Sequence, residues 1–166
     1  MALVLNEEQL MLKDSAAGFL TQKATVAHLR ALRDNGSERG FSADVWRDMV
    51  EMGWAGIAIP EAFGGLGYGY TGLGLVLEQA GRNLSASPLQ STVLVAATGI
   101  GELGSAQQKE QLLSAIAAGE QLVSLALQEG PHHAPLHTVL RATLEADHYV
   151  LNGTKVLVLD ASAAHT

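Results

Sequence analysis

Residues 53–67 read GWAGIAIPEAFGGLG, and this order of an apolar run, a proline and three glycines is the most informative pattern in the chain. Pro60 fixes its own φ and biases the residue before it toward extended backbone, so a preceding helix must end earlier. Gly64, Gly65 and Gly67 permit φ > 0 or a close approach of another surface. The pattern is compatible with a turn between two packed helices and with a ligand-binding loop. It matches neither the dinucleotide motif G-x-G-x-x-G after a strand nor a Walker lysine motif.

The sequence before this loop predicts three helices, and a fourth follows it. Asn6 and Gln9 form a capping box that starts the first helix. Residues 25–33 predict a second short helix, and Ser42 can cap a third. Apolar residues at helical spacing then predict a fourth helix over residues 71–84.

Two further helices are predicted before Gly119. Residues 89–103 are almost wholly apolar or small, which is typical of a helix that is buried on every side. Ser105 and Gln108 form a second capping box, which opens a helix that ends at Gly119. The protein is therefore predicted to be mainly α, with an N-terminal bundle of about six helices over residues 1–119.

The sequence after Gly119 changes to β character. Residues 122–127 read as a continuous apolar strand, and short β-branched runs cover residues 138–144, 148–151 and 155–159. Asn152-Gly153 lies between the last two runs and predicts a tight hairpin turn. Residues 120–166 are therefore predicted to begin an antiparallel β domain. The last strand would leave an open edge, so this β domain is expected to be incomplete.

Composition excludes several classes of protein. Hydrophobic residues make up 48% and charged residues 16% of the 166 residues, which predicts a packed core. The formal charge of −7 argues against nucleic acid and anionic membrane surfaces as partners. Because cysteine is absent, disulfide and thiolate chemistry are excluded. The N-terminus lacks a signal-peptide pattern, and no apolar run is long enough to span a membrane, so we expect a soluble cytoplasmic protein.

Five blocks of sequence, in order, resemble the acyl-CoA dehydrogenase family. They are GWAGIAIPEAFGGLG at 53–67, LEQAGRNL at 77–84, GSAQQKEQLLSAIAAGE at 104–120, LALQE at 125–129 and YVLNGTKVLVLDASAAH at 149–165. The resemblance implies an FAD enzyme that introduces a double bond into an acyl-CoA thioester. It also implies an electron-transfer flavoprotein or similar acceptor, and assembly as a homo-oligomer or with a paralogue.

The same resemblance divides the chain into the family's N-terminal helical domain, residues 1–119, and the start of its middle β domain, residues 120–166. The family's C-terminal helical domain, which carries the catalytic glutamate in typical members, has no counterpart here. No catalytic residue and no metal ligand is therefore assigned, and the chain by itself is expected to be inactive.

Flavin contacts are assigned by the resemblance to two segments. The family pattern A-x-T-E-P, followed by G-S-D, corresponds here to ALQEG at 126–130, followed by PHHAPLH. Gln128 takes the threonine position, where it could supply a donor and an acceptor, and Glu129 matches the family glutamate. In the second segment, K-x-W-[I/V]-[T/S], leucines replace the tryptophan and the hydroxyl residue. The implied cofactor-binding residues are Leu125, Leu127, Gln128, Leu157 and Leu159.

The acyl group is assigned by resemblance to the predicted helix 89–103, with Ser91, Thr92 and Val95 as substrate-binding residues. Its small side chains would leave room for a bulky or long acyl group, or would equally allow close helix packing. His132, His133 and His137 form a cluster between two prolines. The cluster could bind a metal, tune the charge of a loop over the cofactor entrance, or simply be solvated.

Two other functions stay open at this point. Departures at both flavin segments are compatible with a non-catalytic or half-site subunit that assembles with a catalytic paralogue. A flavin-free helical interaction domain is the third possibility.

Overall fold

The computed structural model describes residues 4–166, so the first three residues of the predicted helical domain lie outside it. Six α-helices are found in the described range: α1 (Glu7–Lys23), α2 (Val26–Asp34), α3 (Ala43–Glu51), α4 (Gly69–Asn83), α5 (Ala97–Leu103) and α6 (Ala106–Ala117). A π-helical segment, Leu89–Ala96, leads directly into α5. Two antiparallel strands follow, β1 (Ala142–Glu145) and β2 (His148–Leu151). The prediction of a mainly α protein with about six helices and an antiparallel β segment is confirmed.

The predicted capping residues start their helices as expected. The Asn6 side chain accepts a hydrogen bond from the Gln9 backbone N–H at 2.8 Å, and the Gln9 side chain accepts one from the Asn6 N–H at 3.0 Å. Ser105 and Gln108 repeat this reciprocal arrangement at α6. Ser42 caps α3. These residues satisfy N–H groups that the first turn of a helix cannot pair internally.

The helical part is organised around Trp54, which is only 2% exposed. The ring of Phe19 from α1 meets the Trp54 ring edge-on, with centroids 5.4 Å apart and an interplanar angle of 85°. Edge-to-face pairs of this kind add to the free energy of burial. Helix α1 packs along α4. A second apolar cluster lies between α5, α6 and the segment at residues 53–67. Its buried residues are Ile59, Ala96, Ala97, Leu113, Ile116 and Val123.

The glycine-rich segment, residues 53–67, is a turn between α3 and α4 that folds back on itself. Leu66 N donates to Gly56 O and Gly67 N donates to Ile59 O, both at 2.9 Å. A Cβ on Gly65 would lie 2.1 Å from Ile59 O, so only glycine fits there. The prediction of a turn between two helices is therefore confirmed, and the N–H groups of Leu66 and Gly67 are used inside the loop.

The helix predicted over residues 89–103 differs from expectation in two respects. Its first half is wound as a π-helix, in which the Ala97 N–H reaches back to the Thr92 carbonyl. It is also not buried on every side, because Leu103 is 88% exposed. The chain turns back at Gly104 into α6, which packs along one side of α5 and leaves the last turn uncovered.

The β prediction was right in kind but wrong in detail. The hairpin turn lies at Ala146-Asp147, since Glu145 pairs with His148, and not at Asn152-Gly153. Residues 155–159 form no strand, because Val156 N donates to Gln128 O at 2.8 Å and Leu157 has a left-handed φ of 54°. That hydrogen bond draws the segment away from β2.

The apolar run at residues 122–127 also lacks regular strand pairing. Instead, Ser124 N donates to Thr166 O at 3.0 Å and His165 N donates to Leu122 O at 2.8 Å. Among the described residues, these backbone contacts are confined to Leu122 and Ser124 of the run. Within residues 4–166, no helix combines the length and hydrophobicity needed to cross a bilayer.

Candidate functional site

A cavity of about 320 Å³ lies between the π-helical segment and the two segments that the resemblance assigned to the flavin. Its lining consists of Ser91, Val95, Leu125, Leu127, Gln128, His133, Leu157 and Leu159. Every predicted cofactor residue is therefore in one place, together with two of the three predicted substrate residues. We name this space the leucine cavity.

The walls of the leucine cavity are apolar side chains that the rest of the described chain leaves uncovered. Leu157 is 72% exposed, Leu159 is 58% exposed and Leu125 is 55% exposed. Large apolar side chains that gather at one opening are typical of a binding surface. A mostly apolar cavity with a few polar groups is the usual form of a cofactor or small-molecule site.

Ser91, in the floor of the cavity, hydrogen-bonds to Asp160, which directly follows Leu159. Its side chain is buried, and its hydroxyl donates a hydrogen bond to the carboxylate of Asp160. The Ser91 Oγ also lies 3.3 Å from Pro88 O. Asp160 has a left-handed φ of 52°, which turns the chain just after the Leu159 wall. The contact fixes the distance between the helical floor and that wall.

Thr92 is the predicted substrate residue that the structure does not bring to the cavity. Its side chain is buried, and its Oγ1 donates to Val123 O at 3.0 Å and accepts from Val123 N at 3.2 Å. One hydroxyl therefore satisfies both backbone groups of a residue that has left the helical part. This reciprocal bond attaches the β segment to the π-helical segment.

Gln128 occupies the rim of the cavity, but its side chain is directed to the loop that follows. Its Oε1 accepts from Ala134 N at 3.3 Å, and its Nε2 lies 2.8 Å from His133 Nδ1. The loop at residues 131–137 thus places His133 at the cavity. A loop over the cofactor entrance was one of the alternatives that the sequence left open for this histidine cluster. The available signal was the position of this loop directly after Gln128.

Glu129 follows Gln128 in the chain and accepts several hydrogen bonds that hold this segment in place. Lys155 Nζ donates to its carboxylate at 2.6 Å and to Leu127 O at 3.2 Å. The N–H groups of Val139 and Leu140 also donate to Glu129, at 2.8 and 3.1 Å. The hydrogen bond from Lys155, followed by the one from Val139, lowers the pKa of Glu129 from 4.5 to about 2. Glu129 is thus ionised above about pH 2, and its contact with Lys155 holds residues 127–129 against residue 155.

The three histidines are not brought together around one point. His133 lines the leucine cavity, whereas His132 and His137 line a separate cavity of about 310 Å³ beside Glu129. In the part of the chain that the structure describes, no group of three or more His, Cys, Asp or Glu side chains has a metal-binding arrangement.

The leucine cavity continues along α5. A second cavity of about 330 Å³ shares Val95 and Leu125 with it and runs past Gly99 to Leu103. A larger cavity, of about 410 Å³, is lined by residues including Ile59, Tyr70 and Lys109 and contains none of the predicted cofactor or substrate residues. The leucine cavity is therefore the candidate site because of the residues that line it, although another cavity is larger.

Residues 6–120 match the family model described as "Acyl-CoA dehydrogenase, N-terminal domain". The chain belongs to the acyl-CoA dehydrogenase family. Among known members, the chain is 32% identical to acryloyl-CoA reductase (NADH) of Anaerotignum propionicum over 93% of its length. The chain spans 39% of that relative, or about two fifths of it.

Several solved structures share the fold of this chain. A variant of the Tcur3481-Tcur3483 steroid ACAD is 35% identical with a TM-score of 0.84, over 95% of this chain and 43% of that one. The ChsE4-ChsE5 complex from Mycobacterium tuberculosis is 25% identical with a TM-score of 0.81, over 95% of this chain and 42% of that one. An acyl-CoA dehydrogenase from Bacillus anthracis, 25% identical with a TM-score of 0.79 over 93% of this chain and 27% of that one, is complexed with FAD.

The residues that line the cavity in this member of the acyl-CoA dehydrogenase family fit a flavin ring system. The ring is planar and largely apolar on its faces, which suits the leucine walls. Its carbonyl oxygens and ring nitrogens need polar partners at the edge, and Gln128 and His133 supply polar atoms at the rim. The lining is thus compatible with FAD in its chemistry.

Proposed function

We propose that this chain is the N-terminal part of an FAD-dependent acyl-CoA dehydrogenase that forms an α,β double bond in an acyl-CoA thioester. The observation that supports the proposal most directly is the leucine cavity. It joins the predicted flavin residues, from Leu125 to Leu159 in sequence, to Ser91 and Val95 of the predicted acyl site. Residues that are separated along the chain but adjacent in space are expected where a cofactor and its substrate must meet.

In this proposal the chain supplies binding surface rather than a proton acceptor. The leucine walls exclude water from the ring, and Val95 and Gly99 leave space for an acyl group along α5. FAD, when bound, would accept the hydride that leaves the β-carbon of the substrate. Glu129 is not the base that removes the α-proton, because its carboxylate already accepts three hydrogen bonds and its pKa is about 2.

The proposal is tested by measuring FAD affinity of the purified protein with a matched pair of variants. Leu159 and Leu144 are equally exposed, at 58% and 59%, but only Leu159 lines the cavity. Leu159→Arg is expected to weaken FAD binding about tenfold or more, because a guanidinium would lose water against an apolar ring. Leu144→Arg is expected to leave the affinity unchanged.

Equal loss in both variants, or in neither, would show that FAD does not bind at the leucine cavity. Titration of FAD fluorescence gives the dissociation constants, and the visible absorbance bands of the bound flavin identify the cofactor. Conversion of acyl-CoA substrates can then be followed in the protein form that binds FAD.

A second function, a half-site subunit of a heteromeric acyl-CoA dehydrogenase, is compatible with the exposure of the cavity walls and is supported by one similar structure. Leu157 and Leu125 remain more than half exposed, so the cavity needs further protein to enclose a ligand. One similar structure is described as the ChsE4-ChsE5 complex. A protein that is colourless alone and yellow only when co-expressed with a paralogue would support this function. Absence of flavin under both conditions would favour the flavin-free interaction domain.

The partners follow from the proposed reaction. The substrate would be an acyl-CoA, the electron acceptor an electron-transfer flavoprotein or a similar protein, and the assembly a homo-oligomer or a pair with a paralogue. The direction of the reaction is part of the test, because one relative is named as a reductase. The cytoplasmic location expected from the sequence stays a prediction.

A further inference from the structure

The loop at residues 131–137 brings one imidazole to the leucine cavity and holds it through a defined contact. His133 is exposed, and its Nδ1 lies 2.8 Å from the side-chain Nε2 of Gln128. His132, its neighbour in sequence, lines the other cavity. Of these two adjacent histidines, His133 therefore lies at the rim of the leucine cavity and His132 does not.

The orientation of the Gln128 amide determines which ring nitrogen of His133 carries the proton. The Ala134 N–H donates to Gln128 Oε1, so that end of the amide is the oxygen. The other end is the NH₂ group, which can only donate, and it faces His133 Nδ1. A neutral imidazole that accepts at Nδ1 carries its proton on Nε2. Nε2–H is thus left as the donor of the ring.

The other polar side chains at the cavity are already engaged. The Ser91 hydroxyl donates to Asp160, and the Gln128 amide is engaged with its own loop through both its oxygen and its nitrogen. The remaining lining residues are aliphatic. Among the described lining residues, the donors that these contacts leave to a ligand are therefore His133 Nε2–H and the second N–H of the Gln128 amide.

We propose that His133 donates a hydrogen bond from Nε2–H to a carbonyl oxygen or ring nitrogen of the flavin ring system, and that Gln128 is the positioning residue that fixes this tautomer. The inference rests on the proposed function, since it assigns one contact of the same cofactor. It makes the loop at residues 131–137 part of the cofactor site rather than a solvated connection.

The first test measures FAD affinity of the purified protein after substitution of each histidine. His133→Ala is expected to weaken binding about three- to tenfold, which corresponds to the loss of one hydrogen bond. His133→Gln is expected to restore most of the affinity, because its amide N–H reaches close to the position of Nε2–H. His132→Ala is the matched control and is expected to bind FAD as the wild type does. A shift of the flavin absorbance bands should accompany His133→Ala alone.

The second test reads the tautomer without any cofactor. ¹⁵N NMR of the histidine rings is expected to show His133 with its proton on Nε2 in the wild type. In Gln128→Leu, which removes the amide, this preference is expected to be lost while the signal of His148 is unchanged. A wild-type His133 that carries its proton on Nδ1 overturns the inference.

The outcomes separate this inference from the proposed function. If the wild type binds FAD and His133→Ala binds it equally well, His133 is not a cofactor contact, and the proposed function stands. If neither the wild type nor His132→Ala binds FAD, alone or with a paralogue, the proposed function fails and the cofactor contact fails with it. The NMR result then reports only whether Gln128 orders the loop.

Discussion

The helical part of the molecule, up to α6, and the segment at residues 120–166 are stabilised in different ways. In the helical part, apolar side chains from α1, α3 and α4 enclose Trp54 in a continuous core. In the later segment, both strands of the hairpin are largely exposed. That segment meets the helical part through the buried side chains of Leu122, Val123 and Ala163. Two polar contacts add to this attachment, Thr92 with Val123 and Ser91 with Asp160, while the pair Glu129 and Lys155 stabilises the segment internally.

This difference explains where the candidate site lies. A core stabilised by buried apolar area tolerates little change in shape, and it supplies a fixed floor for the leucine cavity. The walls belong to the segment whose apolar side chains are still uncovered, and these are available to a ligand or another protein surface. The cavity is thus found at the boundary between a part of the fold with a continuous apolar core and a segment whose apolar side chains are still exposed.

The largest effect should come from removing the aromatic centre of the core. Trp54→Ala is expected to lower the free energy of unfolding by about 3–5 kcal/mol, because it removes buried area and leaves a cavity. Tyr149→Ala is the counterpart in the hairpin, where the side chain is 67% exposed, and should cost less than about 1 kcal/mol. Urea denaturation of both variants gives the comparison. Similar losses would contradict the contrast between the two parts.

The glycine turn should be the next most sensitive position. Gly65→Ala is expected to destabilise the protein by about 1–3 kcal/mol or more, because its Cβ would collide with the carbonyl of Ile59. Gly74→Ala is the control, since that site in α4 has open space and a helical backbone, and it should be neutral or stabilising. Thermal unfolding followed by circular dichroism distinguishes the two.

The hydrogen bonds between Thr92 and Val123 connect the two parts of the molecule and depend on one hydroxyl group. Thr92→Val keeps the shape but leaves Val123 N–H and C=O without their partner, at an expected cost of about 1–2 kcal/mol. Thr154→Val, at an exposed site, is the control. Hydrogen exchange should accelerate at Val123 and the residues after it, while the amides of α1 keep their protection. Uniform acceleration in both parts would mean that the segment does not open separately.

The smallest predicted effect is a titration within the later segment. The pKa of Glu129 is lowered to about 2 in the folded protein, from an ordinary value of 4.5. The stabilisation from its ionised form is therefore fully present above about pH 4.5, and it is lost as the pH falls through about 2. The amide signals of Val139 and Leu140 should move with a midpoint near pH 2 in NMR spectra. Glu129→Gln should abolish that transition.

The sequence predicted features that depend on neighbouring residues and missed those that depend on distant ones. The capping boxes at Asn6 and Ser105 were found because their partners lie three residues away. The hairpin at Asn152-Gly153 was wrong, because Val156 hydrogen-bonds to Gln128 instead. Turn propensity could not reveal that competing contact.

The candidate site shows the same limit. The resemblance named seven of the residues that line the cavity. His133 was known only as part of a histidine cluster with several open roles, because the loop that carries it departs from the family's G-S-D turn. The placement of Thr92 was also not readable from the sequence. A threonine among small residues is compatible with a cavity wall or with a backbone contact, and only the position of Val123 distinguishes them.

The π-helical segment has a consequence for how the site can change over evolution. Each π hydrogen bond encloses one residue more than an α hydrogen bond does. Deletion of a single residue within Leu89–Ala96 could therefore be absorbed by tighter winding, with little rotation of α5. Such a deletion would move Ser91 and Val95 relative to each other while the bundle stayed in register. Deletion of one residue in the cavity floor would therefore change the shape of the cavity while the packing of the helical bundle is kept.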